Sequence, residues 1–256
     1  MKRLRSVALA LIAVFITAAE LQPEARRSGY DFASPETRAM QDDDTANPGM
    51  LWVGQGETLW AKKAGTADKA CADCHGDAQT SMKGVAARYP AFDAALRRPI
   101  DLEQRINRCR AERQKAEPLA WESAELLALT AFVAYQSRGM PIAVEDKPEL
   151  RGARDLGAEL FNRREGQLNL SCSQCHNENW GKRLAGNVIP QAHPTGYPLY
   201  RLEWQSLGSL QRRLRNCMTG VRAEPYEYGA PETVSLELYL MKRARGMPIE
   251  TPAVRP

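Results

Sequence analysis

The feature of the sequence that most constrains the fold is a pair of Cys-x-x-Cys-His motifs, Cys71-Ala-Asp-Cys74-His75 and Cys172-Ser-Gln-Cys175-His176. In such a motif two thiols add across the vinyl groups of a haem, and the adjacent histidine is the proximal ligand of the iron. A zinc site or a disulfide loop is the alternative, but zinc commonly requires four clustered nitrogen or sulfur ligands. The two motifs therefore predict two covalently bound haem c groups.

The second half of the chain repeats the first half. The matched positions at an offset of 101 residues include Gly56 with Gly157, Cys71 with Cys172, and His75 with His176. Later matches have an offset of 108 at Cys109 and Cys217, and of 107 between residues 138–142 and 245–249, both Arg-Gly-Met-Pro-Ile. The change of offset indicates that the second copy gains about seven residues between its haem motif and its later cysteine.

The spacing of apolar residues predicts helices in each copy, and signs of strands are few. The predicted helices span residues 58–63, 102–112 and 123–136 in the first copy, and 154–164, 207–218 and 233–245 in the second. Only 7% of the residues are aromatic, so the cores are expected to be small and completed by a cofactor. The predicted fold class is mostly α, with two tandem cytochrome c-like domains that have long loops and each enclose one covalent haem.

The domain organisation follows from the repeat. An N-terminal extension belongs to neither copy and contains the acidic run Asp42-Asp43-Asp44, interpreted as solvated surface. We place the extension at residues 20–51, the first domain at 52–143, a linker at 144–152 and the second, catalytic domain at 153–256.

Residues 1–19 have the build of a secretory signal peptide: a basic start, an apolar run from Val7 to Ala18 and small residues at its end. The apolar run is shorter than the roughly 18 residues that a membrane anchor requires. Cleavage near Ala19 leaves 32 basic against 31 acidic residues, so the formal charge gives no support for nucleic-acid binding. The sequence therefore predicts a protein secreted to the periplasm, with no membrane span after cleavage.

The second iron ligands are predicted from the order of residues along the chain. Two of three histidines are predicted as proximal ligands. Whether the third, His193, touches the second site stays open, because a lone loop histidine is more often solvated. In small cytochromes c the distal ligand commonly precedes the final helix, which is where Cys109 and Cys217 lie. The alternatives are Met140 and Met247, which follow that helix, or a disulfide between the two cysteines.

Each of these cysteines follows an arginine by four residues, which places both side chains on one face of a regular helix. The Arg213 guanidinium beside Cys217 would suit a sulfonate or sulfate-like group. Arg105, which precedes Cys109, is interpreted as a ligand of a haem propionate. A propionate contact is also the alternative for Arg213.

The sequence resembles the SoxA family, the dihaem subunits of the SoxAX cytochromes of bacterial sulfur oxidation. The resemblance is carried by both haem motifs, the paired Arg-x-x-x-Cys segments, residues 34–43 (Ser-Pro-Glu-Thr-Arg-Ala-Met-Gln-Asp-Asp) with 47–49 (Asn-Pro-Gly), and residues 200–205 (Tyr-Arg-Leu-Glu-Trp-Gln) leading into 208–210 (Gly-Ser-Leu). It covers essentially all of the mature chain.

The resemblance implies an L-cysteine S-thiosulfotransferase that couples thiosulfate oxidatively to a cysteine of a SoxYZ-like carrier. It also implies a heterodimer with a monohaem SoxX-like subunit and an electron-accepting cytochrome. Cys217 would be the catalytic cysteine, modified to a persulfide in the family, and Arg213 would bind substrate. Haem 1 would have His75 and Cys109 as its iron ligands, and haem 2 would have His176 and Cys217. The alternatives are a thiosulfate dehydrogenase that forms tetrathionate and a non-catalytic periplasmic electron-transfer cytochrome.

Overall fold

The structure is a computed structural model that describes residues 25–256, so the predicted signal peptide lies outside the described residues. Within residues 25–256 no helix is long and apolar enough to cross a membrane. This part of the chain forms ten α-helices and seven strands of two or three residues each. The prediction of a mostly helical fold is confirmed.

The helices of the N-terminal extension and the first copy are α1 (Pro35–Asp42), α2 (Met50–Ala61), α3 (Ala72–His75), α4 (Ala78–Ser81), α5 (Leu102–Cys109) and α6 (Ala124–Tyr135). Strands β1 (Ala91–Asp93) and β2 (Arg98–Ile100) form an antiparallel hairpin directly before α5. A single π-helical turn, Arg110–Gln114, follows α5 and ends at Lys115, whose φ is +55°.

The helices of the second copy are α7 (Arg151–Asn162), α8 (Cys172–His176), α9 (Leu210–Gly220) and α10 (Pro231–Arg243). Its strands are β3 (Arg183–Leu184), β4 (Asn187–Val188), β5 (Leu199–Arg201), β6 (Ser206–Gly208) and β7 (Val254–Arg255). Strand β5 pairs antiparallel with β6 and parallel with β7. The helix predicted over 207–218 therefore starts too early, because Leu207 lies in β6 and the helix begins only after its N-cap, Ser209.

Each copy is built on one close pair of helices, α2 with α6 and α7 with α10. Both pairs depend on a glycine at the crossing point. A Cβ atom on Gly56 would lie 2.1 Å from the Ala128 carbonyl oxygen, and one on Gly157 would lie 2.1 Å from the Ser235 carbonyl oxygen. The repeated glycine is therefore explained by the need for the two helix backbones to approach closely.

The two Arg-Gly-Met-Pro-Ile segments pair with each other across the copies. Gly139 N–H donates to the Ile249 carbonyl at 2.8 Å, and Ile249 N–H donates to the Met140 carbonyl at 2.9 Å. Ile142 N–H donates in the same way to the Met247 carbonyl at 2.9 Å. Both isoleucines are buried, so these segments join the two copies along a shared apolar contact.

A group of buried carboxyl side chains also lies between the copies. The Gln211 side-chain amide on α9 donates to Asp101 at 2.7 Å and to Glu237 on α10 at 3.4 Å. Glu103 on α5 is 8% exposed. Burial, and secondarily the charge of Asp101, raises the pKa of Glu103 to about 8, so this carboxyl is largely neutral at pH 7.

The N-terminal extension packs on the end of the second copy. The Gln41 side chain accepts a hydrogen bond from Val254 N–H at 3.1 Å, and the Asn47 amide donates to the Pro252 carbonyl at 2.8 Å. The acidic run that follows Gln41 is exposed, as predicted. The extension also reaches the second haem motif, because Gly29, Phe32 and Ala33 line the cavity that His176 lines.

Candidate haem and active site

The first haem motif opens onto a cavity of about 390 Å³. Its wall contains Cys71, Cys74 and His75 of the motif, together with Arg105 and Cys109 on α5. The rest of the lining is mostly apolar and includes Trp60, Val85, Leu102, Ile106, Leu129 and Val133. An apolar slot between a Cys-x-x-Cys-His motif and a later cysteine fits a haem that is held on both faces.

The second haem motif opens onto a cavity of about 160 Å³. His176 lines this cavity together with Arg213 and Cys217 on α9, and the His176 and Cys217 side chains are in hydrogen-bond contact. Cys172 packs in the apolar cluster around Phe161 and Leu240. Burial, and then the neighbouring Cys217, raises the pKa of Cys172 to about 12, which keeps its thiol protonated.

The His176 ring is oriented by the backbone. Its Nδ1 lies 2.6 Å from the Pro190 carbonyl oxygen, and since a carbonyl only accepts, Nδ1 must carry the proton. Nε2 is then the ring nitrogen that would ligate an iron atom. The residues of this cavity therefore fit a haem, with His176 as the proximal donor. His75 in the first copy instead lies against Trp60, with ring centroids 5.6 Å apart.

Cys217 is a thiol in an unusual electrostatic position. Burial alone would raise its pKa, but His176 and Arg213 more than offset that effect and lower the pKa to about 7. A thiol with such a pKa is partly thiolate near neutral pH, which suits both metal ligation and sulfur chemistry. Cys109 differs, because burial dominates there and raises its pKa despite the nearby Arg105.

The two arginines have different surroundings. The Arg105 guanidinium pairs with Asp93 at 2.7 Å and donates to the Tyr89 hydroxyl at 3.2 Å. Arg213 lines the second cavity, and within the described residues no ion pair or hydrogen bond of its side chain is found. The predicted proximity of Arg213 and Cys217 on one face of α9 agrees with the lowering of the Cys217 pKa by Arg213.

Neither alternative for the later ligands is supported by the geometry. Cys109 and Cys217 line two separate cavities, and all six cysteines of the chain are free. Met140 and Met247 line neither cavity, since their backbones join the two copies. The Met-Pro pattern is thus explained by pairing of the copies.

His193, whose position the sequence left open, is buried and not a solvated loop residue. Its side chain lines the second cavity, and the residue is 8% exposed. Nδ1 lies 2.8 Å from the Arg27 carbonyl oxygen, and burial lowers the pKa of the ring to about 4. The reason is long-range, because the N-terminal extension covers the loop that the second copy inserts.

Tyr197, Arg201 and the Pro190 carbonyl also contribute to the second cavity. None of them was predicted as a site residue, although Arg201 lies in the segment 200–205 that carries the family resemblance. A signal for Tyr197 was present, since Tyr89-Pro90 and Tyr197-Pro198 have the same offset of 108 as Cys109 and Cys217. Both Tyr-Pro bonds are cis. The Pro190 carbonyl leaves no such signal, because a backbone acceptor is not encoded by residue type.

Comparison with known proteins identifies the family. The cytochrome c domain model of the SoxA/TsdA family matches residues 55–142 and 156–249. The SoxA subunit of L-cysteine S-thiosulfotransferase from Pseudaminobacter salicylatoxidans is 41% identical over 229 residues, covering 89% of this chain and 80% of that protein. The corresponding subunit from Rhodovulum sulfidophilum is 36% identical over 229 residues, covering 90% and 80%.

A solved structure agrees with the sequence relatives. A chain in the crystal structure of SoxXA from P. pantotrophus superposes with a TM-score of 0.87 at 31% identity, covering 90% of this chain and 87% of that chain. The fold, the cavities and these relatives lead to one conclusion: the chain belongs to the SoxA family.

Proposed function

We propose that the protein is the dihaem c subunit of an L-cysteine S-thiosulfotransferase, which conjugates thiosulfate oxidatively to a cysteine of a SoxYZ-like carrier. The observation that carries this proposal is the Cys217 thiol, which lies in a cavity beside both an imidazole and a guanidinium without an ion pair. The relatives with the same family domain are SoxA subunits of this enzyme. A cytochrome c domain implies covalently bound haem c.

The proposed haem attachments are Cys71 and Cys74 for the first group and Cys172 and Cys175 for the second. His75 and Cys109 would ligate the first iron, and His176 and Cys217 the second. The second domain, residues 153–256, would be the catalytic one. Haem c supplies the acceptor for the two electrons that are released when a sulfur–sulfur bond forms.

Different residues of the second cavity have different roles in the proposed reaction. Cys217 presents the sulfur that meets the sulfane sulfur of thiosulfate, and its low pKa favours the nucleophilic thiolate. Arg213 holds the sulfonate end through charge-assisted hydrogen bonds. The carrier cysteine then accepts the thiosulfate-derived group by exchange at sulfur, which restores Cys217.

The proposed partners follow from the relatives. The solved relative is part of a SoxXA complex, which favours a heterodimer with a monohaem SoxX-like subunit. An electron-accepting cytochrome would remove the electrons. The predicted signal peptide favours the periplasm as the compartment of the reaction.

The internal repeat supplies a matched control for the test. Cys217→Met should retain haem but abolish thiosulfate-dependent turnover with partner and carrier present, whereas Cys109→Met should retain most of it. Equal loss in both variants, or unchanged turnover in Cys217→Met, would contradict the proposal. Tetrathionate formation without carrier at the full rate would instead identify a thiosulfate dehydrogenase.

A further inference from the structure

The two copies can be compared position by position around their later cysteines. Hairpin β1–β2 with helix α5, and hairpin β5–β6 with helix α9, correspond at a constant offset of 108 residues. The equivalent positions are Tyr89 with Tyr197, Asp93 with Arg201, Arg105 with Arg213, and Cys109 with Cys217. Three of these four pairs are identical, and the fourth reverses charge.

In the first copy the arginine near the cysteine is neutralised by the protein itself. Asp93 is 3% exposed, and its carboxylate pairs with Arg105 at 2.7 Å and with Arg108 at 2.6 Å. The Tyr89 hydroxyl accepts a hydrogen bond from Arg105 at 3.2 Å. The Arg105 guanidinium thus has its partners within the protein.

In the second copy the equivalent of Asp93 is itself a cation. Arg201 is 8% exposed and lines the cavity together with Arg213 and Tyr197. The carboxylate partner of Arg201 is Glu203 at 2.9 Å, which is 63% exposed and therefore lies at the solvent edge. Within the described part of the chain, no hydrogen bond to the Tyr197 hydroxyl and no ion pair of Arg213 is found.

The other charged groups nearby have carboxylate partners. Arg255, which also lines the cavity, pairs with Glu250 at 2.6 Å. Arg212 lies 3.9 Å from Glu122 and stacks over the Trp204 ring at 4.2 Å. Arg201 gives its Nε and Nη2 atoms to Glu203, each at 2.9 Å, so the cationic groups left for a ligand are Arg213 and Nη1 of Arg201.

We propose that Arg201 is a second anion-binding residue and that, with Arg213, it binds the sulfonate group of the substrate next to Cys217. This inference rests on the proposed function for the identity of the substrate. Three sulfonate oxygens can accept hydrogen bonds from two planar guanidinium groups, which favours a dianion over a neutral thiol. The aspartate at the equivalent position closes the first cavity to anions and thereby restricts substrate binding to the second.

The charge reversal itself provides the decisive variant. Arg201→Asp recreates in the second cavity the pair that Asp93 forms with Arg105. We expect it to weaken binding of sulfate, an unreactive tetrahedral dianion, by about tenfold or more, because charged hydrogen bonds are lost and Arg213 is neutralised. Glu203→Gln, which removes the partner of Arg201, should strengthen sulfate binding.

Sulfate binding is measured on the haem-loaded protein by equilibrium dialysis, with haem content as the check on folding. Arg151→Asp, at the exposed start of α7, makes the same change of charge at a residue that lines neither cavity and should leave binding unchanged. If the Arg201→Asp variant does not fold, sulfate binding is measured on Arg201→Gln instead. The inference is overturned if Arg201→Asp, or Arg201→Gln in its place, binds sulfate within about twofold of the wild type, since one charged hydrogen bond contributes more than that.

Turnover with thiosulfate and carrier separates this inference from the proposed function. If Arg201 binds the sulfonate, Arg201→Lys should raise KM for thiosulfate more than it lowers kcat. A wild-type protein that binds sulfate through Arg201 but shows no carrier-dependent turnover would reject the proposed function and keep the anion site. Normal turnover with an unchanged KM in Arg201→Lys and Arg201→Gln would reject the anion site alone.

Discussion

Gly56→Ala should destabilise the first copy because it forces α2 away from α6. The added Cβ would lie 2.1 Å from the Ala128 carbonyl oxygen and 2.6 Å from the Phe132 Cβ atom, far inside van der Waals contact. The contacted atoms belong to the backbone and to a rigid Cβ, so the helices themselves must move. Such overpacking costs about 1–3 kcal/mol, and alanine recovers about 1 kcal/mol of helix propensity.

With the cost at the upper end of that range, the net loss is about 2 kcal/mol, which lowers the melting temperature by about 4–8 °C in a chain of this size. The assay is thermal unfolding of the haem-loaded protein followed by far-ultraviolet circular dichroism. Gly54→Ala is the control in the same helix, because nothing lies within 4 Å of its Cβ position and it should be neutral or stabilising. A Gly56→Ala protein that melts at or above the wild-type temperature would refute the close-crossing explanation.

Two further predictions concern the contact between the copies and the helix that carries Cys217. The pKa of Glu103 is raised to about 8 by burial, so its neutral form stabilises the fold fully below the unfolded pKa near 4.5, and this stability is lost as pH rises toward 8. In the wild type, the free energy of unfolding in urea should therefore fall between pH 5 and 8, by up to about 1.4 kcal/mol per pH unit for the one proton of Glu103. Glu103→Gln should remove this part of the pH dependence. Ser209→Ala removes the N-cap of α9, whose hydroxyl accepts from Arg212 N–H at 3.1 Å, and should cost about 1 kcal/mol in the same assay.

Both predictions have a control in the chain. Glu149 is exposed, so Glu149→Gln should leave the pH profile of stability unchanged. Ser123 caps α6 by the same contact, to Leu126 N–H at 3.3 Å, so Ser123→Ala should cost a similar amount. A Glu103→Gln protein with the wild-type pH profile, or a Ser209→Ala protein of wild-type stability, would contradict the respective interpretation.

The sequence predicted much of the local architecture because the haem motifs and the helices depend on short-range patterns. The helix predicted over 58–63 is wrong in its bounds, since α2 spans Met50–Ala61. The helix predicted over 123–136 is observed as Ala124–Tyr135, with Ser123 as its N-cap. The hairpins before α5 and α9 were not predicted, because a three-residue strand is too short to establish an alternating pattern.

Long-range contacts account for the remaining differences. Nothing near His193 in the sequence indicates that Arg27, 166 residues away, covers it. The Met-Pro segments resemble distal ligands in sequence, but their backbone hydrogen bonds to each other across the copies explain the pattern without iron ligation. The reversal of charge from Asp93 to Arg201 is readable in the sequence. Its meaning depends on the fold, which pairs Asp93 with Arg105 but places Arg201 in the lining of the cavity that Arg213 also lines.

Peptide mapping by mass spectrometry can show whether the second cavity performs the sulfur chemistry and the first does not. The protein is mapped after a single turnover with thiosulfate, partner and oxidant, but without carrier. We expect a thiosulfate-derived sulfur adduct on the peptide that contains Cys217, none on the peptide that contains Cys109, and loss of the adduct when carrier is added. An adduct on Cys109, or full turnover with Cys217 unmodified throughout, would contradict this expectation.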